Sequence, residues 1–141
     1  MLGLMLVGAA ANGYAAPAPL KTTRAAAPRL ALTGLDPIEF LAGKAVKGKP
    51  SIAFDHRGFR YVFANEKDRE LFTKDPDRYA IQGDGTCPVV PGANADPGIV
   101  TLYKGRIYAF ASLPCLGKFT KDPEKYLAKW SGNPDVKKKT G

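Results

Sequence analysis

Gly58-Phe59-Arg60-Tyr61-Val62-Phe63-Ala64-Asn65, running on to Phe72-Thr73-Lys74-Asp75-Pro76-Asp77-Arg78-Tyr79, occurs twice in this chain. The second version is Gly105-Arg106-Ile107-Tyr108-Ala109-Phe110-Ala111-Ser112, leading to Phe119-Thr120-Lys121-Asp122-Pro123-Glu124-Lys125-Tyr126. Matched residues lie 47 positions apart throughout, from 58 to 105, 72 to 119 and 79 to 126. Upstream, Gly34-Leu35-Asp36-Pro37 is answered more loosely by Gly85-Thr86-Cys87-Pro88. A repeat of this length is one supersecondary unit used twice. Two copies are too few for a solenoid, so the units are expected to pack against each other as one small domain.

Each copy has the same internal grammar. Ser51 to Phe63 alternates around His56-Arg57-Gly58, the signal of a β-hairpin, with Ile52, Phe54, Tyr61 and Phe63 on the buried face. Asn65 then opens a helix through Phe72, with Asp68 completing a capping-box-like start. Asp75-Pro76 starts one further turn, and Tyr79 folds back on the core. The second copy repeats the hairpin over Ile99 to Ala111, turning at Lys104-Gly105. Ser112 caps a helix through Phe119, and Asp122-Pro123 begins the last helix, through Trp130. Ahead of the first hairpin, Asp36 caps a short helix begun by Pro37 and ended by Gly43. The fold expected is α+β, two related β-hairpin-plus-helix units packed as one small domain over 33–130, with the units at 34–80 and 85–130.

The chain has 141 residues, 45% of them hydrophobic, and thirteen are Phe or Tyr. That supports one real core. The formal charge is +8, but it is unevenly placed. Residues 34–80 nearly balance, whereas Lys21, Arg24, Arg29 and Lys137-Lys138-Lys139 stand outside the repeat. A nucleic-acid binder gathers its charge on a folded face, so no nucleic-acid partner is expected. Met1 to Ala11 is an apolar run too short to span a bilayer. With Gly13 and Ala15 as small residues before a cut, it reads as a signal peptide over 1–15, although no Lys or Arg precedes it. The Ala- and Pro-rich stretch 16–32 reads as a linker, and 131–141 as a basic tail. The protein is expected to be periplasmic or secreted, without stable membrane insertion.

Cys87 and Cys115 are the only cysteines, and both fall in the second unit. Cys115 sits at the third position of the helix capped by Ser112, where free N–H groups and the helix dipole suit a thiolate. Three states are open to the pair: a disulfide, which suits an exported chain, a shared metal ion, or two unlinked thiols. A bridge closing about 28 residues stabilises by roughly 3–4 kcal/mol in the chain-entropy model. His56, the only histidine, reads as an exposed turn residue. No nucleophile elbow or Gly-rich phosphate loop occurs. An enzyme is not expected.

The motif Y-x-F-A-[NS] followed by F-T-K-D-P-x-x-Y resembles the YHS domain and the related heavy-metal modules grouped as TRASH domains. The resemblance covers roughly Gly34 to Trp130 in two copies. In the second it is carried by Tyr108, Phe110, Ser112, Cys115, Phe119, Asp122, Pro123 and Tyr126. It implies a hairpin-plus-helix fold and a role in handling copper or another soft metal, with a metal ion or a protein as partner. Metal-type members often carry Cys where this chain has Ala64 and Ala111. The family's upstream Cys position is Asp36 in the first copy and Cys87 in the second. Its His or Cys position is Asp68 in the first copy and Cys115 in the second. The first copy is therefore expected to be metal-blind, with Asp68 serving only the helix cap. Zinc needs four N or S ligands for a closed site, whereas two thiolates suffice for Cu(I). The only methionines, Met1 and Met5, lie in the apolar run.

Protein isolated from its own cell is expected to begin near Ala16. N-terminal sequencing that found Met1 on most molecules would remove the case for export.

Overall fold

In the computed structural model, which describes residues 27–137, both halves of the repeat form the same mixed α+β series. The first hairpin is β2 (Lys49–His56) with β3 (Phe59–Phe63), and the second is β4 (Asp96–Tyr103) with β5 (Arg106–Phe110). Their two-residue turns, Arg57-Gly58 and Lys104-Gly105, have positive φ at both positions. That geometry matches the right-handed twist of paired strands. Register puts Phe54 opposite Tyr61, and Thr101 opposite Tyr108. Helices α2 (Glu66–Lys74) and α3 (Pro76–Tyr79) follow the first hairpin, and α4 (Leu113–Lys121) and α5 (Pro123–Lys129) follow the second. Asn65 and Ser112 cap α2 and α4 through bonds from the N–H of Asp68 and Cys115. Asp122 caps α5 likewise, but Asp75 makes no side-chain cap bond.

Each hairpin gains a short parallel partner from the segment that leads into its unit. β1 (Arg29–Leu30) pairs in parallel with β3, giving a three-stranded sheet in the order β1-β3-β2 beside the two-stranded β4-β5 sheet. Ile81 makes the equivalent parallel bridge to Ile107 on β5. Each of these extended segments enters a left-handed turn, Leu32-Thr33-Gly34 in one unit and Gly83-Asp84-Gly85 in the other. Leu32 and Thr33 carry the backbone strain of that conformation. The turn nonetheless buries Ala31 and Leu32 completely enough to place them in the core. The turn at 31–34 packs on β3 and on β4 of the other unit.

Two corrections to the expected boundaries follow. The folded chain starts by Arg29, inside the expected linker, because Arg29 N–H bonds to Gly58 O (2.9 Å) and β1 completes a sheet edge. It also runs past Trp130. Gly132 and Asn133 are buried, Asn133 Nδ2 donates to Leu127 O (2.9 Å), and α6 (Pro134–Lys137) follows. The expected signal peptide over 1–15, most of the linker and the end of the basic tail lie outside the described residues. Among the described residues no helix is long and apolar enough to cross a membrane.

Between turn and hairpin the units differ. Leu35 bridges Lys47 in the first, and α1 (Pro37–Leu41) fills the span between them. In the second, Thr86 bridges Asn94, four residues fewer, and no helix forms. Pro91 and Gly92 stand where α1 has Phe40 and Leu41, and both disfavour a helix interior.

Gly83 combines a φ of 71° with contact against Trp130, where an added Cβ would lie 2.0 Å from the indole. Gly105 has a φ of 73° but open space around it. Gly83→Ala is expected to cost about 2–4 kcal/mol and Gly105→Ala only about 1–2 kcal/mol. Equal losses in chemical denaturation would show that the indole contact is not a close fit.

Candidate functional site

The repeat brings four chemistry-bearing residues to two equivalent places. Asp36 and Asp68 occupy one in the first unit, and Cys87 and Cys115 occupy the other in the second. In both, one residue follows the left-handed turn and the other sits in the first turn of the helix after the hairpin. The frame that orients them is the same; only the functional atoms differ.

In the first unit the Asp36 side chain is fully buried. Its Oδ1 accepts from the N–H of Ile38 (2.8 Å) and Glu39 (3.3 Å), which begins α1. Its Oδ2 accepts from Ala64 N–H (2.7 Å), tying that helix to the end of β3. Asp68, 9% exposed, lies within hydrogen-bonding reach of the Asp36 carboxyl. Burial, then the bond to Asp36 and its charge, push the Asp68 carboxyl up to about 6, against a bond from Asn65 that favours the ionised form. Asp68 is thus more than a helix-start residue. It stands beside a second carboxyl as well as closing the cap through the bond it accepts from Asn65 Nδ2 (3.2 Å), so the expectation that it serves only the cap is corrected.

In the second unit Cys87 is fully buried and Cys115 is 8% exposed, and both are free. They share one apolar cluster with Tyr108, Phe110, Phe119, Leu127 and Trp130. Cys87 N–H bonds to Ala93 O (2.9 Å), closing the short loop that replaces α1. Ser112 Oγ donates to Cys115 Sγ (3.2 Å) and accepts from Cys115 N–H (3.4 Å). The two sulfurs are not at disulfide distance. Among the described residues no group of three or more His, Cys, Asp or Glu side chains could hold a metal.

A third repeated feature escaped the residue-by-residue reading. His56 Nε2 and Arg57 Nε each bond to Asp77 Oδ1 at 2.9 Å, clamping the hairpin turn to α3. Tyr103 and Lys104 hold Glu124 of α5 in the same way. His56 is thus not an exposed turn residue: its side chain is 17% exposed and stacks beside Phe54. Arg57, then His56, hold the Asp77 carboxyl below its ordinary range. The signal was present in the sequence, since His56/Tyr103, Arg57/Lys104 and Asp77/Glu124 all obey the spacing of 47.

Compared with protein-family models, curated proteins and solved structures, the chain finds no match.

The folded Asp68 value lies above the unfolded value of about 3.9, so folding favours its protonated form. The stabilising share is fully present below about pH 4 and is lost as pH rises through about 6, a difference of about 3 kcal/mol. Asp68→Asn keeps a neutral group beside Asp36. It is expected to make stability flat across that window and to gain about 1–3 kcal/mol at neutral pH. Denaturant midpoints of both proteins across the window check this. A variant that loses stability at neutral pH would return Asp68 to a capping role.

Proposed function

We propose that the protein is an exported binding module of YHS type whose second unit takes a soft, monovalent metal ion, Cu(I), between Cys87 and Cys115. The observation that carries the reading is the equivalence of the two pairs. Asp36 and Asp68 stand at the matching positions and their carboxyls come within hydrogen-bonding reach. Side chains at these two positions meet in the first unit, and in the second unit both are thiols, free and in one apolar cluster, which supports a shared ligand there.

The donor set fits the ion class. Cu(I) accepts two thiolates, whereas zinc in a closed site draws on four ligands. Binding replaces two S–H protons by one Cu(I), so two protons leave and the site carries one net negative charge. The positive end of α4 lies beside Cys115, whose Sγ also accepts from Ser112 Oγ, and both offset part of that charge. The first unit offers hard carboxylate oxygens, those of Asp36 already committed to backbone N–H groups. It is poor ground for a soft ion, in keeping with a metal-blind first copy.

Adding one equivalent of Cu(I) to the reduced protein, without oxygen, is expected to raise its melting temperature by about 5–10 °C, as for a ligand well above its dissociation constant. Cys87→Ser and Cys115→Ser should each abolish the shift. Asp36→Asn should weaken the fold, since Asp36 accepts three backbone N–H bonds, and leave the Cu(I) increment in place. No shift with copper, together with a mass lower by two hydrogens and a large fall in melting temperature on reduction, would make the cysteines a structural disulfide instead.

A further inference from the structure

Where the first unit places α1 against α2 and α3, the shortened loop of the second leaves a cavity of about 390 Å³. Val89 and Pro91 of that loop form one wall, and Tyr126 and Trp130 form the other. Trp130 is held in position by its Nε1–H bond to Thr86 Oγ1 (3.2 Å) and by its packing on Gly83. The volume falls within the range of small-molecule sites, roughly 300–1,000 Å³.

The charge at the mouth has one sign. Lys125 and Lys129, one helical turn apart on α5, line the cavity, and no acidic residue does. Among the described residues neither lysine forms an ion pair. An aromatic floor under two unmatched ammonium groups is complementary to a small molecule with an apolar body and one anionic end.

We infer that this cavity is a binding site for small amphiphilic carboxylates, with the apolar body against Tyr126 and Trp130 and the carboxylate at Lys125 and Lys129. Neither cysteine lines the cavity, although Trp130 belongs to the cluster that holds both, and the carboxylate site does not require a bound metal. It has a built-in reporter, because Trp130 is the only tryptophan of the chain.

The test is a titration of the full chain with 4-phenylbutyrate and with the matched neutral alcohol, at constant ionic strength, followed by Trp130 emission. The carboxylate is expected to give a saturable change and to bind about fivefold tighter than the alcohol, as two exposed ion pairs imply. The Lys125→Gln, Lys129→Gln double variant should bring the carboxylate to the alcohol's affinity. Both lysines are exposed, and an unchanged melting curve would show that the variant folds. Equal affinity for carboxylate and alcohol, no saturable change, or a double variant that still prefers the carboxylate would each overturn the assignment.

Discussion

Each unit is held together by one phenylalanine on the helix that follows its hairpin. Phe72 of α2 reaches the rings of Tyr61 (4.7 Å), Phe63 (5.3 Å), Phe54 (5.9 Å) and Tyr79 (6.4 Å). Phe119 of α4 does the same for Phe110 (4.9 Å), Tyr108 (5.5 Å) and Tyr103 (5.8 Å). Both are essentially without solvent contact. Edge and tilted aromatic contacts add to the area these rings bury, and they fix the helix axis relative to the sheet. The first turn of that helix is then fixed as well. Asp68 and Cys115 sit four residues before the phenylalanine, one helical turn away, so the functional atoms inherit their position from the core.

That dependence explains what the sequence could reveal. The hairpins, the caps and the proline-started helices were legible because their causes are local: Arg57-Gly58 and Lys104-Gly105 demand a tight turn, and Asn65, Ser112 and Asp122 satisfy N–H groups within three residues. β1 was not legible. Arg29-Leu30 gains its partner from Phe59-Arg60, and its Ala- and Pro-rich surroundings have the composition of a linker. His56 was misread for the related reason that Asp77, its partner, is 21 residues away.

The paired site was half legible. Cys87 and Cys115 stood out as the only thiols, and the repeat set Asp36 and Asp68 opposite them. Each aspartate, however, has a complete local explanation at a helix start, so nothing in the sequence required the two carboxyls to meet. Only the packed fold shows that Asp36 reaches across to Ala64 N–H and lies beside Asp68. The cavity beside α5 was legible only as a length difference, since a missing helix leaves no residue to notice.

The chemistry of the two pairs differs in what burial costs them. Two neighbouring carboxylates repel when both are charged, so the first unit offsets the conflict with backbone N–H donors to Asp36 and with a raised Asp68 carboxyl that takes up a proton more readily. Two thiols are neutral and only weakly polar, so burying them costs little and commits them to no partner. The first pair is therefore complete as it stands and braces α1 against the end of β3. The second pair leaves its sulfurs uncommitted except for the bond from Ser112. The loop that carries Cys87 also has no counterpart of the helix that Asp36 helps to nucleate. One copy of the repeat thus has the bracing, and the other lacks it at the same two positions, where it has thiols. The reading of the second unit as the binding half rests on that asymmetry.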